Sequence, residues 1–122
     1  MKSTEVRCAR CAASSARFVA LGAGEGAGTL ADRDRVERTG WFGACEKPMP
    51  LAGASALVDR VERGELAELA REDPDLFGFV CRACGLAYCH GCWRVGPPEM
   101  DEGFYDRTRG TCPAGHEQTL DD

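Results

Sequence analysis

Apolar and polar positions alternate over Ala16-Arg-Phe-Val-Ala-Leu21, a β-prone run that predicts one arm of a hairpin. Gly22 to Gly28 follows as a flexible loop. It fits G-x-G-x-x-A at Gly26 to Ala31, but without a second strand or a loop lysine the phosphate-binding reading gives way to a plain mobile loop. Thr29 and Asp32 form a T-x-x-D box that predicts a short charged helix from Leu30 to Thr39, stopped by Gly40. The aromatic segment from Gly40 to Pro50 reads as an extended connection. From Ser55 the period becomes helical: Leu57, Val58 and Val61 share one face and, after Gly64, Leu66, Leu69 and Ala70 share another. Glu65, Glu68, Arg71 and Glu72 fall on the solvent side, and Asp73-Pro74 ends the helix.

The unbroken apolar run Leu76 to Val80 predicts a buried strand, and Trp93 to Val95 a short helix or strand. Gly96-Pro97-Pro98-Glu99 and Asp101 to Gly103 read as loops, Phe104 and Tyr105 as cover for a core, and Glu117 to Asp122 as an acidic tail.

A chain of 122 residues has room for one domain with a modest core. Eight cysteines change that picture. The start Met1-Lys2-Ser3-Thr4-Glu5 lacks the apolar stretch of a secretory signal, and no apolar run reaches membrane-spanning length. These features predict a cytoplasmic protein with reduced thiols, in which paired cysteines bind metal rather than form disulfides. The formal net charge of −5 disfavours nucleic acid, whose phosphates call for clustered Lys and Arg, and suits a basic protein partner.

Cys81-Arg-Ala-Cys84-Gly-Leu-Ala-Tyr-Cys89-His-Gly-Cys92 holds two Cys-x-x-Cys knuckles separated by four residues. That spacing is too short for both pairs to close comfortably on one ion. Each needs a second pair, and the chain offers Cys8 with Cys11 and Cys112 with His116. Eight ligands in four pairs predict two closed structural sites, each taking a tetrahedral Zn²⁺.

The run C-R-x-C-G-x-x-Y-C-x-x-C from Cys81 to Cys92 resembles the middle of a FYVE finger, and is similar to RING-related zinc domains. The resemblance implies a small α+β zinc-binding domain of treble-clef type, in which ligand pairs alternate as a cross-brace. Cys8, Cys11, Cys89 and Cys92 would then hold one zinc, and Cys81, Cys84, Cys112 and His116 the other. Two sequential ribbons, 8/11/81/84 and 89/92/112/116, are the alternative. On this reading 1–122 is a single domain, with a zinc core of 6–21 plus 75–118 and a helical insertion at 22–74.

The basic stretch by which FYVE fingers bind phosphoinositide is missing before Cys81, which argues against membrane binding. The RING resemblance implies a groove for a ubiquitin-like conjugating enzyme. Trp93 and Pro113 match its pattern, whereas Arg10 takes a usually apolar place and Glu117 a usually basic one. Trp93, Pro113 and Arg10 are the candidate partner-binding residues, with Phe104 and Tyr105 as further aromatics.

Four complete pairs leave no open metal position for catalysis, and no deaminase or thioredoxin-like pattern is present. Cys45 lacks an activating neighbour in sequence and is expected as a buried small hydrophobe. His90, between ligands, is expected to be exposed. The whole predicts a two-zinc protein-interaction module without intrinsic catalysis, its sharpest version a ligase-like adaptor. The alternatives are an acidic inhibitor of a basic partner, acting through the charged insertion, and a purely structural subunit.

Overall fold

The computed structural model describes residues 2–122. Three sheets and two helices share one core. Strands β1 (Lys2–Arg7), β2 (Ser14–Leu21), β3 (Arg35–Thr39) and β4 (Cys45–Pro48) form an antiparallel meander in chain order. The predicted hairpin is β1–β2, with Val6 opposite Ala16 and Thr4 opposite Phe18.

Side chains two apart share a face of a strand. Ala16, Phe18 and Ala20 of β2 therefore point inward with Val36 of β3, onto α1 (Leu51–Glu62). Ala54, Val58 and Val61 of that helix are buried, and α2 (Leu66–Glu72) adds Leu69 and Ala70.

Three sequence expectations are corrected here. The helix proposed over Leu30–Thr39 is instead a turn followed by β3, so the stretch 22–74 holds two strands, β3 and β4, as well as its two helices. β3 reads as a charged helix because Arg35 and Arg38, its apparent solvent residues, are buried. Arg38 donates to the carbonyls of Asp75, Leu76 and Trp41 at 3.0 Å each. Its burial lowers its pKa from the ordinary guanidinium value.

Arg35 orders the glycine loop. Its Nη2 donates to Glu25 O at 2.7 Å, and its Nε stands 3.3 Å from Glu46 Oε2, a charge contact rather than a well-formed hydrogen bond. Glu46 in turn accepts from the N–H groups of Thr29 and Leu30. Four N–H groups in and beside the loop, those of Gly22, Ala23, Thr29 and Leu30, are thus taken by the protein's own carboxylates.

The second correction concerns Leu76–Val80. It is fully buried as expected, but only Val80 enters a strand, β5 (Val80–Cys81), which pairs with β6 (Leu86–Ala87). Phe77 stacks on Phe18 with ring centroids 5.0 Å apart, and Phe79 packs against both Phe18 and Trp41. This aromatic row joins the first sheet to the cysteine knuckles.

Third, the acidic tail is a strand. β10 (Glu117–Asp121) pairs with β9 (Phe104–Thr111), and β7 (Arg94–Val95) and β8 (Glu99–Asp101) pair along β9's other side. Gly78 lies so close to Leu120 that any side chain there would collide with the Leu120 carbonyl oxygen. That approach seats β10 against the aromatic row.

Candidate metal centres

The eight ligand candidates gather into two groups in the alternating pairing. Cys8, Cys11, Cys89 and Cys92 form one and Cys81, Cys84, Cys112 and His116 the other, with the donor atoms in each group within 4.8 Å of one another.

Each pair sits on a turn that the local sequence dictates. Cys8 directly follows β1, and the loop turns back through Cys8 N–H to Ala13 O at 2.7 Å, with Ala12 at φ 65°. Ala9 N–H then reaches Ala87 O, which ties this knuckle to β6 directly ahead of Cys89. At the second pair, Cys89 O accepts from the N–H groups of both Cys92 and Trp93.

Cys81 and Cys84 cap the β5–β6 hairpin, where Gly85 at φ 72° supplies the left-handed turn and donates to Cys81 O at 2.7 Å. Cys112 and His116 occupy the β9–β10 turn. Gly115 takes φ 93° there, and Cys112 N–H donates to His116 O.

The donor geometry fits a tetrahedral metal. Zn–S of about 2.3 Å and Zn–N of about 2.0–2.1 Å imply S···S near 3.8 Å and S···N near 3.6 Å around one ion. Cys11 and Cys89 Sγ are 3.5 Å apart, and Cys84 and Cys112 Sγ 3.8 Å. His116 Nδ1 lies 3.2, 3.5 and 3.7 Å from the sulfurs of Cys84, Cys112 and Cys81. His116 therefore presents Nδ1 to its three sulfurs.

Backbone N–H groups prepare the sulfurs for ionisation. Arg10, Cys84 and His116 N–H each point at a ligand sulfur, those of Cys8, Cys81 and Cys112, at 3.4 Å. Burial pushes the Cys8 thiol up, but surrounding N–H groups outweigh it and hold it at about 6. Cys112 is held at about 7 by the same balance, with His116 and Ala114 N–H opposing burial.

Their neighbours move the other way. The Cys89 sulfur beside it, with burial, pushes Cys92 up to about 12, and burial raises Cys81 to about 11. Sulfurs this close cannot all ionise by themselves. A cation among them removes that conflict.

The other candidate residues fare differently. Trp93 is buried at 4% exposure, and its Nε1 donates to Phe79 O at 3.1 Å. It is a core residue rather than a partner contact, because the indole fills the joint between the knuckles and the aromatic row. Arg10 is exposed and Pro113 half-buried.

Phe104 and Tyr105 do not cover the metal core. They project from the β8–β9 hairpin at 77% and 45% exposure. Cys45 is partly buried on β4 against the core. His90 is exposed, yet its ring edge-packs on Trp41 and Phe42 at 5.7 and 4.9 Å. That aromatic flank of the first centre had one signal in sequence, the Trp41-Phe42 doublet, which by itself says nothing of what it covers.

Among the described residues no helix is long and apolar enough to cross a membrane. No curated protein and no solved structure matches the chain. One family model does, over residues 1–122, and the chain belongs to that family, described as a domain of unknown function, DUF8328.

Proposed function

We propose that the protein is a zinc-stabilised protein-interaction module, in which two structural Zn²⁺ ions brace a body whose surface binds another protein. The supporting observation is that each centre is a complete four-donor set, one of four sulfurs and one of three sulfurs with a histidine nitrogen. Structural zinc takes four protein ligands of these types, whereas catalytic zinc keeps three and a water. The first centre ties the β1–β2 loop to the chain after β6, and the second ties the β5–β6 turn to the β9–β10 turn. Zinc here does the work that a larger apolar core does in bigger domains.

Native mass spectrometry of the purified protein, with thiol alkylation before and after chelation, tests the reading. Two bound zinc ions and at most Cys45 modified beforehand are expected. A single ion, or a reactive thiol among the eight ligand positions, overturns the closed-site assignment.

A basic partner is the reading favoured by the acidic charge balance. On the helices, part of the acidic charge is already paired. Glu65 and Glu72 are engaged by Arg60 at 3.0 and 2.7 Å, and Glu65 also by Arg63 at 2.7 Å. A conjugating-enzyme adaptor would have Arg10 and Pro113 as its contacts, and a ubiquitin-discharge assay with the purified protein tests that role directly.

A further inference from the structure

The β8–β9 hairpin combines exposed apolar side chains, unpaired carboxylates and an open strand edge. Its two-residue turn, Glu102 at φ 50° and Gly103 at φ 84°, is the tight reversal that matches strand twist. Asp101 is paired across it with Phe104, and Met100 with Tyr105.

Partners opposite each other in a ladder share a face. One face therefore shows Met100 with Tyr105, and the other shows Asp101 with Phe104. Met100 is 60% exposed and Phe104 77%, the two most exposed large apolar side chains among the described residues. Nothing in the fold covers them.

Two further features define what would. β8 pairs only with β9, so its outer side is an open strand edge. The ion pairs of this arm all run from Glu99 and Glu117 to Arg107 and Arg109. Asp101, Glu102 and Asp106 are exposed and have no ion-pair partner among the described residues.

We propose that the outer edge of β8 docks a basic, extended segment of a partner protein, added as a further strand. The pattern of the edge sets the segment's chemistry. A residue opposite Met100 extends the Met100–Tyr105 row and is apolar. The next, opposite Asp101, meets an unpaired carboxylate flanked by the Phe104 ring and is Lys or Arg. The occupant alternates apolar and basic residues. A second copy of this chain does not fit, because it would set the same unpaired carboxylates against one another.

This inference deepens the interaction-module reading and rests on it. The test uses the ¹⁵N-labelled, metal-loaded full chain, titrated with an octapeptide of alternating leucine and lysine. The controls are a peptide of the same composition in two blocks and one with glutamate for lysine. Saturable shifts confined to Glu99–Asp106 are expected, with affinity lower by about tenfold for either control. Met100→Ser and Asp101→Asn should each weaken binding at least about threefold, with the metal content of the protein unchanged.

Equal binding of the block peptide reduces the effect to net charge and overturns the proposal. So do shifts centred on α1 or α2, concentration-dependent broadening without peptide that marks self-association, or no saturable shift at millimolar peptide. Shifts elsewhere would sink the β8 edge while leaving the interaction-module reading intact. Loss of bound metal in native mass spectra would instead strike at the module.

Discussion

The sulfurs of Cys11 and Cys89 stand 3.5 Å apart although 78 positions of chain separate them. Beside the Ala9 N–H to Ala87 O hydrogen bond, this sulfur pair joins the β1–β2 loop to the second knuckle, so a metal shared by the two would carry part of the cost of closing a long loop.

Cys89→Ser should therefore leave one bound metal ion instead of two. Structural zinc contributes roughly 10–16 kcal/mol of apparent binding free energy in small domains, comparable with or above the whole stability of a domain of this size. Loss of the cooperative thermal transition is expected, read by circular dichroism beside native mass spectrometry. A variant that keeps two ions and its melting temperature would refute the assignment of Cys89 to the first centre.

Trp93→Ala should act on the fold. Removing a buried indole costs about 3–5 kcal/mol, visible as a lowered denaturation midpoint. Trp93→Phe keeps most of the volume but removes one of the two N–H donors to Phe79 O, which still accepts from Tyr88 N–H, and should cost about 0.5–1.5 kcal/mol. A fully stable Trp93→Ala protein would contradict the internal position.

Arg35→Met should destabilise by about 3–5 kcal/mol, because Glu46 then keeps a largely buried charge without its partner. Arg35→Met combined with Glu46→Gln should recover part of the loss. Hydrogen exchange of the Gly22–Gly28 amides provides a second readout, since the loop carbonyls lose the guanidinium that gathers them.

Gly78→Ala should cost about 1–3 kcal/mol or more, since the added methyl meets backbone at Leu120 rather than a side chain that can swing away. Loss of amide protection along β10 before the rest of the fold would locate the damage.

Glu99 should titrate below the ordinary carboxylate value of about 4.3. Arg109, by hydrogen bond and charge, outweighs desolvation, and Arg107 adds to it. A depressed carboxyl pKa stabilises the fold above the unfolded-state value, and that contribution disappears as pH falls through the folded one. Carboxyl-detected NMR titration should show the shift and its reversal in Arg109→Ala.

The candidate donor set was legible because metal chemistry leaves a local signature. Four Cys-x-x-Cys or Cys-x₃-His pairs fix donors, count and knuckle turns within a few residues each. The β2 arm of the hairpin and the Leu57/Val58/Val61 helix face were legible for the same reason, since each is a periodicity within one element.

Tertiary structure decided the rest. Charges at Arg35 and Arg38 look like a solvated helix until distant carbonyls at Glu25, Asp75 and Leu76 accept their N–H groups. Trp93 and Phe104 are both aromatics near a knuckle, yet one is buried and the other bare. The difference is that Phe79 O and the aromatic row meet Trp93, whereas nothing packs over the hairpin tip. By itself the sequence determined which atoms could bind metal. Only the folded chain decided which charges are buried and which apolar residues are left for a partner, because burial depends on neighbours far away in sequence.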